Sequence, residues 1–210
     1  MNIQKPRKNN NLIKTQQLIE EIIDEELINK QIESVILEDI EIYDVKFETL
    51  KLINTEITNS KLEKNNFTDI TFENCNFSNT SFENSIFIRC EFINCKMTGC
   101  NFIEARLYNV SFSETNINYA NLSTTSMENV IFKNTGLRNS NFQENNLKNV
   151  YFEKADLTQA MITKTSFKNI DLSDSIIEGI AISIDDIRGA TINQFQAVDL
   201  LYLIGVKIKI

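Results

Sequence analysis

The sequence predicts an all-β solenoid with four sides, and two periodic patterns carry this prediction. Every fifth residue from Leu62 to Ile182 is large and apolar, without an insertion. A period of five fits neither an α-helix, with about 3.6 residues per turn, nor a continuous strand, with about two. It fits short extended pieces that place two side chains inside and then turn a corner. A fixed period of this kind marks a repeat architecture.

A second period of twenty residues sets the number of sides. The bulkier residues at the second inner position recur at this interval: Ile70, Cys90, Val110, Val130, Val150 and Ile170. Since twenty residues hold four units of five, one circuit takes four units, and equivalent residues stack about 4.8 Å apart. The residues just before this column are mostly asparagine, which predicts Asn ladders at the corners.

The four cysteines fit the same pattern. Each lies at the inner position two residues before a central apolar residue: Cys75, Cys90, Cys95 and Cys100. The chain has no histidine and no C-x-x-C pair, so the sequence offers no metal site. We therefore expect buried, reduced thiols that act as small apolar side chains.

Composition and motifs exclude several classes of function. A net charge of −8 argues against direct nucleic-acid binding. No stretch of apolar residues is long enough to cross a membrane, and no apolar segment follows the basic residues near the N-terminus. We find no catalytic constellation, cofactor motif or binding loop for a small-molecule substrate. The sequence predicts a cytoplasmic protein that is not an enzyme.

Residues 1–31 are predicted to form an arm and a capping helix. Residues 1–11 are polar and cationic, which indicates a disordered or loosely attached arm. Residues 15–30 place apolar side chains at three- and four-residue spacing, with acids on the other face, which is typical of an amphipathic helix. Such a helix could bind a partner. We favour a cap over the open end of the solenoid, because exposed strand edges must be covered.

Residues 193–210 are predicted to form a helix and a short strand. Asn193 and Gln196 resemble a capping box, Gly205 is a helix-ending residue, and residues 206–210 alternate like a strand. The helix is apolar nearly all round, so it needs either an intramolecular role as a cap or a partner. We favour a symmetric homodimer. Its predicted interface residues are Phe195, Val198, Leu200, Leu201, Leu203 and Ile204.

The five-residue pattern resembles that of pentapeptide repeat proteins, whose usual unit is A-(D/N)-L-x-x. Copies of this unit include residues 119–123 (Tyr-Ala-Asn-Leu-Ser) and 154–158 (Lys-Ala-Asp-Leu-Thr). The resemblance implies a right-handed quadrilateral β-helix, which we assign to residues 32–192.

The C-terminal sequence narrows the resemblance to one group of pentapeptide repeat proteins. Residues 186–190 (Asp-Ile-Arg-Gly-Ala), 196–200 (Gln-Ala-Val-Asp-Leu) and 203–208 (Leu-Ile-Gly-Val-Lys-Ile) are similar to the tail of Qnr-like proteins. The unbroken period leaves no room for projecting loops, as in loopless Gram-positive members. This resemblance implies a tail-joined dimer whose acidic rod imitates DNA, binds DNA gyrase or topoisomerase IV and protects it from quinolones. The alternative is a solenoid scaffold for an unrelated protein.

The stacking pattern also predicts where such a partner would bind. Twenty-residue stacking should gather acids of the last coils at one corner: Glu153, Asp156, Asp171, Asp174 and Glu178. Asp185 and Asp186 are expected to extend this patch toward the dimer axis. A surplus of acids that serves only solubility is the competing interpretation.

Overall fold

The computed structural model describes residues 3–207, which form a parallel β-solenoid of about eight turns. The strands are β1 (Ile13–Thr15), β2 (Glu26–Ile28), β3 (Lys30–Glu33), β4 (Ile36–Glu38), β5 (Glu41–Tyr43), β6 (Lys46–Ile53), β7 (Glu56–Thr58), β8 (Lys61–Glu63), β9 (Asn66–Glu73), β10 (Ile86–Ile93), β11 (Arg106–Ser113), β12 (Ser126–Lys133), β13 (Asn146–Glu153), β14 (Met161–Ile162) and β15 (Ala181–Ile182). Two short α-helices and a 3-10 helix follow: α1 (Ile184–Ile187), α2 (Gln196–Leu200) and η1 (Leu201–Ile204).

The ladders join residues twenty positions apart, as the second period predicts. The longest sheet stacks strands β1, β3, β6 and β9–β13, and within it Phe47 pairs with Phe67 and Phe87 with Leu107. Single bridges at the same offset continue the other sides of the coil, for example from Asn101 to Asn121. Among the described residues, the pairing of β1 with β3 and an isolated antiparallel bridge between Ile23 and Glu26 have shorter offsets. The all-β solenoid prediction is confirmed.

The core is a set of stacked apolar columns made by the central residue of each unit. Phe72 stacks on Phe92 with ring centroids 4.5 Å apart, and Phe92 stacks on Phe112 at 4.8 Å. Rings from neighbouring sides meet edge to face, as Phe77 and Phe82 do at 5.7 Å. Such columns remove the large residues from water and add aromatic contacts beyond burial.

The corners are built by a left-handed residue at every fifth position. Positive φ angles near +55° recur from Asp24 to Asn169, and asparagine is the commonest residue that adopts them. Asparagine tolerates this conformation better than most residues because its short amide can bond locally. Its amides also bond between coils, as Asn94 does with Asn74 at 2.8 Å and Asn149 with Asn129 at 3.0 Å. The predicted Asn ladders are confirmed.

The predicted helix over residues 15–30 is wrong. Residues 18–21 form a turn, and β2 pairs with β6 in the regular offset of twenty. Asp24 and Glu25 have left-handed φ angles, which an α-helix cannot contain. Leu27 is buried like any central residue of the solenoid. Leu18 is also buried and packs on the core, so a turn performs the capping role that we assigned to a helix.

The N-terminal arm is docked rather than loosely attached. Within residues 3–12, the N–H of Arg7 donates to Asp69 Oδ1 at 3.0 Å, and the N–H of Gln4 donates to Asn109 Oδ1 at 3.2 Å. These acceptors lie on coils far apart in the sequence, so the arm runs along the solenoid axis.

The C-terminal segment forms a short helix with the predicted cap. The Asn193 N–H donates to Gln196 Oε1 at 2.8 Å, and the Gln196 N–H donates back to Asn193 Oδ1 at 3.0 Å. The helix continues through η1 and ends at Gly205, whose φ is +72°. Helix α1 was not predicted. The predicted strand over residues 206–210 lies partly outside the described residues, and residues 206 and 207 are not in a strand.

The four cysteines are free thiols buried in the core: Cys75, Cys90, Cys95 and Cys100. Burial raises the pKa of the Cys90 and Cys100 thiols to about 12, because a thiolate inside the coil would lose its hydration. Within residues 3–207, no group of three or more side chains is arranged to hold a metal ion.

Candidate interaction surfaces

The predicted acidic patch surrounds one corner of the last coils. The corner is marked by Lys154, whose N–H donates to Asp174 Oδ1 at 3.2 Å across one coil step. We call the acids around it the terminal acidic surface: Glu153, Asp156, Asp171, Asp174 and Glu178. Asp171 and Glu178 lie on the two sides that flank this corner, according to their positions in the repeat.

Two members of the terminal acidic surface are already paired with basic side chains. Arg138 Nε donates to Asp156 Oδ2 at 2.5 Å, and Lys133 Nζ lies 3.9 Å from Glu153 Oε2. Partial burial raises the pKa of Asp156, but hydrogen bonds from Thr158 and Arg138 outweigh it, so this pKa lies below its ordinary value. Asp156 is therefore firmly ionised and largely neutralised by its neighbour.

The other three acids of this surface are exposed and uncompensated: Asp171, Asp174 and Glu178. Among the described residues, none of the ion pairs within 4.0 Å includes them. Hydrogen bonds from the Ser173 hydroxyl and N–H hold the pKa of Asp171 below its usual range. These three carboxylates form the part of the surface that can attract a cationic partner.

Asp185 and Asp186 do not extend this surface. Corners follow one another along a coil at Lys154, Gln159, Lys164 and Asn169, so Lys154 and Lys164 mark opposite corners. Asp186 Oδ2 accepts the N–H of Lys164 at 3.1 Å, which places it at the opposite corner from Asp174. Asp186 also accepts a bond from the Ser183 hydroxyl, and Asp185 pairs with Arg188 at 3.2 Å.

The C-terminal segment has a polar side that caps the solenoid. Gln196 is buried and its amide donates to Leu172 O at 2.7 Å and Ser175 O at 2.6 Å. The Tyr202 hydroxyl donates to Ile180 O at 2.6 Å. These bonds satisfy carbonyls at the end of the ladder, which would otherwise face water as an open edge. The intramolecular cap that we considered is thus present.

The same segment leaves an apolar side uncovered. Of the six predicted interface residues, Phe195, Val198 and Ile204 are exposed, and Phe195 retains 76% of its accessible surface. Leu201 is half-buried, while the partly buried Leu200 and Leu203 pack against the core of their own chain. The first three residues are therefore available for a dimer contact. Leu200 and Leu203 already contribute to the cap.

The sequence interpretation missed a polar cluster at the docked arm. Arg89 Nε donates to Asp69 Oδ1 at 2.6 Å, and a terminal guanidinium nitrogen of Arg89 donates to Asp69 Oδ2 at 2.7 Å. Asp69 is buried beneath the arm. A signal was present, because the corner column that is asparagine from Asn109 to Asn169 has Asp69 and Arg89, as well as Thr49, on the preceding coils.

Comparison with known proteins agrees with the repeat architecture. A family model described as "Pentapeptide repeat region" matches residues 65–132 and 85–162. The two matches together span residues 65–162, and the stacked coils and left-handed corners continue the same architecture on both sides of them, so these findings support a pentapeptide repeat protein. Comparison with curated proteins found no sequence match.

Two solved structures with TM-scores above 0.5 have a similar fold. Two trypsin-treated structures of QnrB1, a plasmid-mediated fluoroquinolone resistance protein, match with TM-scores of 0.54 and 0.51 and with 19% and 18% sequence identity. In both cases the match covers 86% of this chain and 90% of the other. HetL, a pentapeptide repeat protein involved in heterocyst differentiation regulation in Nostoc sp. strain PCC 7120, matches with a TM-score of 0.27 and 15% identity over 78% of this chain and 87% of the other.

Among the described helices, none is long and apolar enough to span a membrane.

Proposed function

We propose that this protein binds a type II DNA topoisomerase in the cytoplasm, as a non-enzymatic mimic of duplex DNA, and protects it from quinolones. The observation that carries the proposal is the group of three exposed, uncompensated carboxylates on the last coils of the solenoid: Asp171, Asp174 and Glu178. The likeness of the fold to QnrB1, described as a fluoroquinolone resistance protein, supports the choice of partner.

The dimensions of the rod suit a mimic of DNA. About eight coils at the ladder spacing of about 4.8 Å give a rod of roughly 38 Å. Two rods joined at their tails would span roughly 76 Å, which is the length of about 22 base pairs at 3.4 Å each. The proposed contact of the two chains is the exposed apolar side of the C-terminal segment, formed by Phe195, Val198 and Ile204.

The charge of the rod agrees with that of DNA in sign but is smaller. Residues 32–192 hold 23 acidic and 14 basic side chains, which gives a net charge of −9. Duplex DNA of the same length carries about 22 negative charges. Shape must therefore contribute to recognition, and the uncompensated acids near the tail must supply the local field that steers a basic groove.

The first test asks whether the protein acts on topoisomerase at all. A DNA gyrase supercoiling assay is run with and without the protein, and with and without ciprofloxacin. We expect either inhibition of supercoiling or relief of the drug effect at tens of micromolar protein. No effect in either arm would contradict the proposal and favour a scaffold for another partner.

The second test asks whether the terminal acidic surface makes the contact. The triple variant Asp171→Asn, Asp174→Asn, Glu178→Gln removes the three uncompensated charges. The side-chain carbonyls of asparagine can keep the bonds that Asp171 Oδ1 accepts from Ser173 N and Asp174 Oδ1 from Lys154 N. We expect an unchanged fold, weaker binding to gyrase, and a wild-type interaction that fades as salt rises through about 0.1–0.5 M, because exposed charges are then screened.

A matched control separates local from global charge. The triple variant Glu41→Gln, Glu128→Gln, Glu144→Gln also raises the net charge of −8 by three. Its targets are already paired with lysines one coil away, at 2.6–2.8 Å. We expect this control to bind almost as well as the wild type. Equal losses in both triples would show that only overall charge matters.

A further inference from the structure

The N-terminal arm, residues 3–12, lies along one corner of the solenoid and spans four coil steps. Three hydrogen bonds join it to acceptors in that corner column: Asn9 Nδ2 to Asn29 Oδ1 at 2.8 Å, the Arg7 N–H to Asp69 Oδ1 at 3.0 Å, and the Gln4 N–H to Asn109 Oδ1 at 3.2 Å. The acceptors are spaced by two coils each. The arm therefore uses the column as a polar track, with its chain running across the strands.

The centre of this track is a buried carboxylate that pairs with Arg89 and also accepts a hydrogen bond from the backbone of the arm. The Asp69 side chain is only 3% exposed and receives two bonds from Arg89 and one from the backbone of Arg7. Burial raises the pKa of Asp69, but these hydrogen bonds outweigh it and hold the pKa below its ordinary range. Asp69 is thus charged at neutral pH, and its position in the column is filled by asparagine on most other coils.

The outer contacts of the arm are electrostatic and exposed. Lys5 Nζ lies 3.3 Å from Glu91 Oε1, and Arg7 Nε lies 4.0 Å from Asp69 Oδ2. The Lys5 and Arg7 side chains retain 76% and 78% of their accessible surface. Exposed pairs of this kind contribute little individually and are screened by salt. The arm is therefore held by a small number of weak contacts.

The solenoid does not depend on the arm for its own ladder. The regular pairing, with an offset of twenty residues, begins at β2. The chain first enters the sheet as β1, which begins at Ile13, after the docked residues 3–12 have ended. The corner column also continues past the contact with Gln4, to Asn129, Asn149 and Asn169. The track is therefore longer than the ten residues that occupy it.

We propose that this corner is a binding groove for an extended basic segment of a partner protein, and that the arm occupies it as a built-in competitor. The ligand is an extended peptide with two cations spaced two residues apart. One cation meets Glu91, as Lys5 does, and the other lies beside the Asp69–Arg89 pair, as Arg7 does at 4.0 Å from Asp69 Oδ2. The proposal concerns the opposite half of the rod from the terminal acidic surface and does not depend on topoisomerase binding.

A contact-quenching experiment tests whether the arm can be displaced. The chain has no tryptophan, and its cysteines are buried. A bimane label on Gln4→Cys, combined with Tyr108→Trp beside Asn109, should therefore report docking of the arm by quenching. We expect quenched fluorescence at low salt. A free peptide with the sequence of residues 3–12 should restore the fluorescence, whereas the same peptide with glutamates in place of its first lysine and its arginine should not.

A second, full-length protein makes the competition quantitative. The variant Lys5→Glu, Arg7→Glu weakens the arm but leaves the groove intact, and its unfolding midpoint serves as the folding control. A fluorescent copy of the basic peptide should bind this variant at least about tenfold more tightly than the wild type, since a tethered competitor acts at an effective concentration in the millimolar range. Adding Glu91→Gln should weaken that binding again.

The outcomes are distinct. Quenching that persists with millimolar basic peptide would overturn the proposal and make the arm a fixed structural element. Equal binding of the peptide to the wild type and to the Lys5→Glu, Arg7→Glu variant would show that the arm does not compete with the peptide for the groove. Release by basic and acidic peptides alike would refute recognition of cations. Failure of the gyrase assay would leave all of these readings unaffected.

Discussion

Replacement of a single ring in the central stack tests how the solenoid is stabilised. Phe112 is fully buried, with its ring stacked 4.8 Å from Phe92 at 10° and 5.1 Å from Phe132 at 4°. Phe47 is also buried, but among the described residues its ring stacks on that of Phe67 alone, at 4.9 Å. The same substitution at these two positions therefore removes a different number of stacked contacts.

The expected costs follow from that difference. Each aromatic pair contributes about 0.5–1.5 kcal/mol beyond the area it buries, and leucine retains most of the apolar volume. We expect Phe112→Leu to lower the free energy of unfolding by about 2 kcal/mol and Phe47→Leu by about 1 kcal/mol. The exposed Tyr151→Leu should change it by less than about 0.5 kcal/mol.

Urea unfolding followed by far-UV circular dichroism measures these differences at a common slope. Similar costs for Phe112→Leu and Phe47→Leu would refute the reasoning, because stacking would then not be the source of the loss.

A stronger perturbation provides a check on the register itself. Phe112→Asp places an unpaired charge in the stack and should unfold the protein, so a stable, folded Phe112→Asp variant would contradict the assignment.

Four further predictions concern the corners, the thiols, the tail and the arm. Thr49→Asn should raise the free energy of unfolding by about 1 kcal/mol in urea titrations, because a β-branched residue is strained at a φ of +55° and asparagine is not. The Cys90 and Cys100 thiols should not react with a disulfide reagent at about pH 8 until the chain unfolds, since burial raises the pKa of both to about 12. The wild type should sediment as a dimer at micromolar concentration and Val198→Asp as a folded monomer; a wild-type monomer would contradict the dimer. The depressed pKa of Asp69 stabilises the fold above about pH 4 and this contribution is lost as pH falls further, so the stability difference between wild type and Asp69→Asn should shrink between about pH 5 and pH 2.

The body of the fold could be predicted from the sequence because one geometric rule repeats without interruption. Each unit of five places a large residue inside and a turn-tolerant residue at a corner, and every coil confirms the same register. The prediction failed at residues 15–30, where two periods fit the same side chains. Ile22 and Leu27 match a helical face, yet they also continue the five-residue series upstream of Ile32. Pairing of β2 with β6 decides between the two periods, and this pairing is a long-range contact that local patterns do not contain.

The docking of the arm could not be read from periodicity, because it depends on single residues that depart from the repeat. Asp69 and Arg89 replace asparagine in a corner column, and their meaning appears only when the arm lies across them. A change of residue type within a column that is mostly asparagine is nevertheless a usable signal. In a solenoid, such a change alters one rung of a ladder without altering the fold. It therefore marks a position where a side chain can bind another segment or a partner.

Whether an acid of the regular coils is paired often depends on the residue one coil away. Glu41, Glu128 and Glu144 have a lysine at an offset of twenty residues and form close pairs with it. Asp171 and Glu178 have only uncharged residues at that offset, and they remain uncompensated. Asp174 has a lysine there, but it bonds the backbone N–H of Lys154 and keeps its charge exposed. A basic partner gains most from acids of this second kind, because pairing with the first kind requires an existing ion pair to be broken. We therefore expect a basic partner to bind at the terminal acidic surface because uncompensated acids lie there. The total charge of the chain matters less.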